Sequence, residues 1–150
     1  MANPVCKVLL TDARLNDTCD DVDPSTGAVV DFWGVVRGSE DGREIDGIEY
    51  EAHREMAEHQ LWLVADAAAE KFQLRKVLMH HRIGFVQAGE ASLYLQVSAQ
   101  HRAAAFEASK WMVDELKKKV PIWKRPRFKI DNQSQPGSTP PATTPRMVTT

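Results

Sequence analysis

Apolar residues return at intervals of three and four between about residues 54 and 72, where Ala57, Leu61, Val64, Ala68 and Phe72 form one stripe. This period predicts an amphipathic helix with the stripe turned to the core. A second helix is predicted over about 102–119, with Ala105, Ala108, Met112 and Leu116 buried and Phe106, Lys110, Val113 and Lys117 on the adjacent row. Residues three or four apart share a helix face, so that row directs Lys117 along the surface toward a groove. Between the helices the period drops to two, with Leu93, Leu95 and Val97 alternating with Ser92, Tyr94 and Gln96 in a strand at 91–98. Its neighbour is predicted at 75–85, and the short link through Gln87, Ala88 and Gly89 makes the two antiparallel.

Strands are also predicted at 5–10, 27–37 and 47–52. The stretch GAVVDFWGVVR at 27–37 is apolar on both alternate faces, which predicts a strand covered on both sides rather than an exposed edge. Gly34 within it marks a bulge or a close backbone approach. Asp12 is expected to cap a brief helix that Asp23, Pro24 and Gly27 end. GSEDG at 38–42 reads as a flexible polar loop, which leaves Arg37 at a strand end, a common place for a ligand contact. Helices alternate with strands, but the antiparallel pair favours an α+β fold over a doubly wound sheet.

With 150 residues and 43% hydrophobic content the chain can bury one core of ordinary size. A single domain is expected over 1–130, followed by a disordered tail at 131–150 in which Pro136, Pro140, Pro141 and Pro145 stand among Ser, Thr, Gln and Gly. A net charge of -2 argues against a general polyanion binder, so any basic site must be local. Nothing near Met1 resembles a charged start followed by a long apolar stretch, and no run approaches the roughly 20 apolar residues that cross a bilayer, so a soluble, cytoplasmic protein is expected. Cys6 and Cys19 are too few for a disulfide framework or a zinc site and read as ordinary thiols. His80 and His81 should point to opposite faces of a strand, and His53 and His59 are six apart on a helix, so no metal is expected. GxxxxGK, GxGxxG and GxSxG are all missing, which leaves nucleotide hydrolysis, dinucleotide binding and serine hydrolysis without sequence support.

Against this neutral background, KKKVPIWKRPRFK at 117–129 carries seven basic side chains and no carboxylate. Lys118 and Lys119 fit a solvated helix end, where cations complement the last carbonyls. Lys117 and Lys124 fit that description less well, because the run resumes after Pro121 with Trp123 directly before Lys124. Arg37, His101, Arg102, Lys117 and Lys124 all fall at element ends, the arrangement by which separate segments converge on one pocket. An arginine fork suits a phosphate, and a lysine among other cations has its pKa lowered toward a reactive neutral amine.

Five stretches now carry a resemblance: GAVVDFWGVVRG (27–38), IEYEAHREMAEHQL (48–61), HRIGFVQAGE (81–90), HRAAAFEA (101–108) and LKKKVPIWKR (116–125). In order and spacing they resemble the family of molybdopterin synthase large, catalytic subunits. The resemblance implies an α/β hammerhead with an additional antiparallel β subdomain, and a homodimer within a heterotetramer. The partner would be a small ubiquitin-like subunit whose C-terminal Gly-Gly thiocarboxylate enters a basic pocket. Sulfur would pass to cyclic pyranopterin monophosphate to make the dithiolene of molybdopterin, with no cofactor, metal, nucleic acid or membrane involved. The family's two active-site lysines fall on Lys117 and Lys124, and its substrate-binding residues on Arg37, His101 and Arg102. The chain departs from the family pattern at Ala99 and Gln100, and at Pro126 after Arg125. Two alternatives stay open: a catalytically silent homologue that binds the small subunit, and a nucleic-acid module stacking bases on Trp123 and Phe128.

Overall fold

Two sheets divide the chain, and the computed structural model describes residues 4–17, 22–130 and 146–147 of it. The first sheet takes β1 (Val5–Thr11), β2 (Ala28–Val35), β5 (Lys76–Arg82) and β7 (Ala91–Ala99) in the order β1-β5-β7-β2. Only β1 and β5 run parallel; β5 with β7 and β7 with β2 are antiparallel. The second sheet contains β3 (Ser39–Glu40), β4 (Arg43–Ala52), β6 (Gly84–Gln87), β8 (Ile122–Phe128) and β9 (Arg146–Met147). Its pairings are antiparallel throughout, and β4 is the hub that meets β3, β6 and β8. Helices α1 (Arg54–Phe72) and α2 (Arg102–Lys119) lie on one face of the first sheet and against each other. This is an α+β fold.

The periodicity explains the core. Ala57, Leu61, Val64 and Ala68 of α1 and Ala105, Ala108, Met112 and Leu116 of α2 are buried with Val77, Met79, Leu95 and Val97 of the sheet. His53 caps α1 with Nδ1 3.4 Å from the Met56 amide, and Gln73 ends it in the left-handed region at φ 54. His80 and His81 do point to opposite faces: His81 is 1% exposed beside Tyr50, whereas His80 meets Tyr94.

Four expectations need correction. Among the described residues between β1 and β2 there is no helix; Thr11 Oγ1 accepts the Ala13 amide after Asp12, and Leu15 packs on Leu78 and Tyr94. Short polar side chains there bond to nearby backbone and favour turns over a helix. The strand at 27–37 is an edge rather than covered on both faces, with Val29, Phe32, Trp33 and Val35 at 44%, 37%, 37% and 53% exposure. Gly34 is both a bulge, with the register shifting at Gly34/Val35, and a close approach, since a Cβ there would lie 3.2 Å from Leu93 Cβ. The stretch at 75–85 is two strands: Gly84, at φ +86, turns the chain after β5 so that β6 joins the other sheet. Finally, 38–42 is ordered as the β3–β4 hairpin, with Asp41 at φ 52 and Gly42 at φ 76 in the turn. Positive φ at both turn positions matches the twist of a tight hairpin. Cys19 and most of the tail from 131 lie outside the described residues; Arg146 and Met147 pair with Lys124 and Trp123.

Candidate functional site

A cavity of about 290 Å³ opens where the end of β2, the β3–β4 hairpin, the last turns of α2 and the first half of β8 meet. Arg37, Lys117 and Lys124 line it, together with Glu40, Tyr50 and His81. Each cation arrives differently. Arg37 follows the last residue pairs of β2 and keeps a side chain that is 71% exposed. Lys117 is carried in by the α2 row that also brings Val113 to the wall. Lys124 lies within β8 rather than at an element end, and the alternation that buries Ile122 and Pro126 buries it too. Pro126 opposes Ile48 on β4.

Lys124 is 6% exposed and its Nζ lies 3.2 Å from Glu40 Oε1. Lys117 has its pKa lowered chiefly by burial, with Lys124 and Arg37 adding to the shift and Asp114 opposing it. Burial thus outweighs the neighbouring cations that the sequence pointed to. The pocket floor is neutral: burial pushes His81 down to about 4 despite its Nδ1 contact with the Arg82 carbonyl, and its ring edge meets Tyr50 at 5.3 Å. Tyr50 has its pKa raised by burial and donates to Ser92 Oγ at 3.2 Å, while the Ser92 hydroxyl donates to the Gly34 carbonyl at 3.4 Å. Three cations over one carboxylate on a neutral floor make an anion-binding cavity with an amine that deprotonates more readily than usual.

His101 and Arg102 do not reach this cavity. They stand at the N-terminal end of α2, roughly 22 Å along the axis from Lys117 at 1.5 Å per residue, and both are exposed. His101 makes no side-chain cap bond, and the first turn of α2 holds no acidic residue. Within one chain the structure therefore gathers Arg37, Lys117 and Lys124 and leaves His101 and Arg102 apart.

The rest of the basic run is largely neutralised. Lys119 pairs with Glu115 at 2.7 Å, Arg125 approaches Glu51 at 3.9 Å and Arg127 approaches Glu49 at 3.8 Å. Phe128 lies under the Arg43 guanidinium, 4.0 Å from ring centroid to Cζ. A strip for stacking and binding a polyanion would need these cations and that ring face open. Among the described residues no three His, Cys, Asp or Glu side chains are grouped to hold a metal ion, and no helix is long and apolar enough to cross a membrane.

Glu40, Tyr50, Ser92 and His81 were not singled out as site residues from the sequence. For Glu40 a cue existed: Asp41-Gly42 between two extended segments is a hairpin sequence, and the hairpin turns Glu40 inward.

Residues 9–119 match the model of the MoaE protein family. That span contains Arg37, His101, Arg102 and Lys117, while Lys124 lies just beyond it. The chain is 41% identical over 111 residues to the molybdopterin synthase catalytic subunit of Thermoplasma volcanium, covering 74% of this chain and 81% of that one. It is 45% identical over 101 residues to the protein of the same name from Pyrococcus abyssi, covering 67% and 68%. The crystal structure of molybdopterin synthase from Staphylococcus aureus superposes with a TM-score of 0.68 at 34% identity, covering 72% of this chain and 79% of that one. A match that runs through both helices and most of both sheets, at such identities, makes the chain a member of the MoaE family of molybdopterin synthase catalytic subunits.

Proposed function

We propose that the cavity is the sulfur-transfer site of a molybdopterin synthase, acting in the cytoplasm with a small ubiquitin-like subunit. The C-terminal thiocarboxylate of that subunit enters the pocket beside cyclic pyranopterin monophosphate, and sulfur passes to the pterin to build the dithiolene. The observation that carries this reading is the pairing of a buried ammonium with an amine of lowered pKa in one cavity: Lys124 against Glu40, and Lys117 beside it. Two anionic reactants repel, and a cationic cavity offsets that repulsion where they must meet. Lys117 suits proton transfer or transient covalent attachment to the carrier's acyl carbon, because its neutral form is more accessible. Lys124 stabilises the negative charge that develops on the acyl oxygen. Arg37, exposed at the mouth, takes the substrate phosphate.

His101 and Arg102 join the scheme through a second copy. The exposed apolar edge of β2, with Val29, Phe32, Trp33 and Val35, is the kind of surface that a homodimer covers. In a two-fold dimer the far end of one α2 can face the pocket of the other protomer, and the two residues then complete the phosphate and pterin site in trans. With two small subunits the assembly is a heterotetramer.

The test is molybdopterin formation from cyclic pyranopterin monophosphate and thiocarboxylated small subunit, with Lys117→Ala and Lys124→Ala alongside the unaltered protein. Product from the unaltered chain, lost in the variants while the complex still forms, is the expected result. A stable complex without product from the unaltered chain would identify a catalytically silent partner instead.

A further inference from the structure

The carboxylate of the β3–β4 hairpin has no part in the chemistry above, yet it is in direct contact with a pocket lysine. Lys124 Nζ and Glu40 Oε1 are 3.2 Å apart, with side chains only 7% and 11% exposed. The second oxygen, Oε2, lies 4.0 Å from Nη2 of Arg37, whose side chain is 71% exposed. The first contact is a desolvated ion pair and the second is loose and open to water. Facing Lys124 around the cavity are Arg37 beyond β2, Glu40 on β3, Tyr50 on β4, His81 on β5 and Lys117 on α2; its backbone runs between Tyr50 and Arg146. Burial keeps Tyr50 a phenol and His81 a neutral imidazole. Among the described residues that line the cavity, Glu40 supplies the one carboxylate, opposite three cations.

We propose that Glu40 is a positioning residue: its carboxylate fixes the Lys124 ammonium inside the pocket and leaves Arg37 available to the substrate's anionic group. The hairpin gives it the rigidity for this, since Glu40 pairs with Arg43 across a two-residue turn with positive φ at Asp41 and Gly42. An arriving phosphate offers Arg37 a two-pronged partner that the Oε2 contact at 4.0 Å cannot match. Lys124 keeps its buried partner throughout. What the held ammonium then stabilises rests on the sulfur-transfer reading.

Glu40→Gln keeps the shape and removes the charge, and Glu40→Asp keeps the charge. For Glu40→Gln, kcat should fall about tenfold or more while KM for the pterin substrate stays within about twofold, because the interaction serves the transition state rather than binding. Glu40→Asp should recover most of kcat. A readout independent of turnover is the labelling of Lys124 by an amine-reactive reagent, followed by peptide mass spectrometry; in Glu40→Gln the labelling should rise several-fold, because the side chain is no longer fixed in its buried position, and Glu40→Asp should return it toward the original level. Unchanged labelling in Glu40→Gln would overturn the proposal, and so would raised labelling with kcat unmoved. If the unaltered protein makes no molybdopterin, the sulfur-transfer reading fails, while the labelling still decides whether Glu40 holds Lys124.

Discussion

The two ends of α2 carry similar residues to different ends. At its C-terminus Lys117 projects into a cavity beside a lysine that is 6% exposed, and burial has lowered its pKa. At its N-terminus His101 and Arg102 stand exposed, without a cap bond or an acidic neighbour in the first turn. Basic residues become chemically distinctive where the protein removes water from them and supplies a counter-charge in a fixed place. The C-terminal end has both within one chain. In the dimer proposed above, a second copy supplies them to the N-terminal end.

The comparison breaks most directly by emptying the pocket end. Lys117→Ala should lower molybdopterin formation by about 10²-fold or more, the usual worth of a positioned proton-transfer or nucleophilic group. Lys124→Ala should cost about as much, as loss of an electrostatic stabiliser does. Gel filtration with the small subunit would show that both variants still assemble. The other end is tested by subunit mixing. If Arg102 serves the partner's pocket, Arg102→Ala and Lys117→Ala are each nearly inactive alone, yet a mixed dimer holds one site with both residues intact. Random mixing should then restore about one quarter of the unaltered activity, since about half the dimers are mixed and half their sites are whole. Mixtures that stay inactive would mean that Arg102 acts within its own chain, and an Arg102→Ala variant active alone would mean that it has no part in the site.

The pocket end should also respond to pH through its floor. His81 is fully buried and its pKa falls to about 4, against about 6.5 in the unfolded chain. Above the unfolded value neither state carries the proton and His81 adds no pH dependence. As pH drops through 6.5 the unfolded state takes up a proton that the folded state refuses until about 4, so stability is lost across that window, by on the order of 3 kcal/mol in full. Thermal melts between pH 7 and pH 4 should show a steeper decline for the unaltered protein than for His81→Leu; parallel curves would mean that His81 is not held neutral.

What could be read from the sequence followed local rules. The stripes through Ala57 and Leu61, and through Ala105 and Met112, placed both helices, because a period of three to four leaves few alternatives. Lys117 and Lys124 stood out because cations resumed beyond a proline next to an indole. The errors are non-local. Whether β2 is an edge depends on which strand pairs beside it, and its apolar outer residues read the same whether buried within one chain or against a second. The change of sheet at Gly84 depends on β4, far away in sequence. That His101 stands apart from Lys124 within one chain was not legible either, because residues at the two ends of one helix look alike in sequence. Glu40 was hidden for a different reason: a carboxylate in a polar stretch looks solvated until the hairpin turns it onto a strand far along the chain.

The smallest effect is the sharpest control on the comparison. Lys110 and Asp114 are paired at 3.0 Å, slightly closer than the 3.2 Å between Lys124 and Glu40. Distance alone would rank the Lys110 pair higher. Yet Lys110 and Asp114 are 82% and 49% exposed, so water screens the attraction and the side chains lose freedom to form it. Lys110→Ala should therefore leave both the melting temperature and molybdopterin formation indistinguishable from the unaltered protein at ordinary salt. A clear loss of either would mean that burial is not what separates the pocket pair from a surface pair, and the contrast between the two ends of α2 would then need a different cause, such as an assembly that covers Lys110 as well.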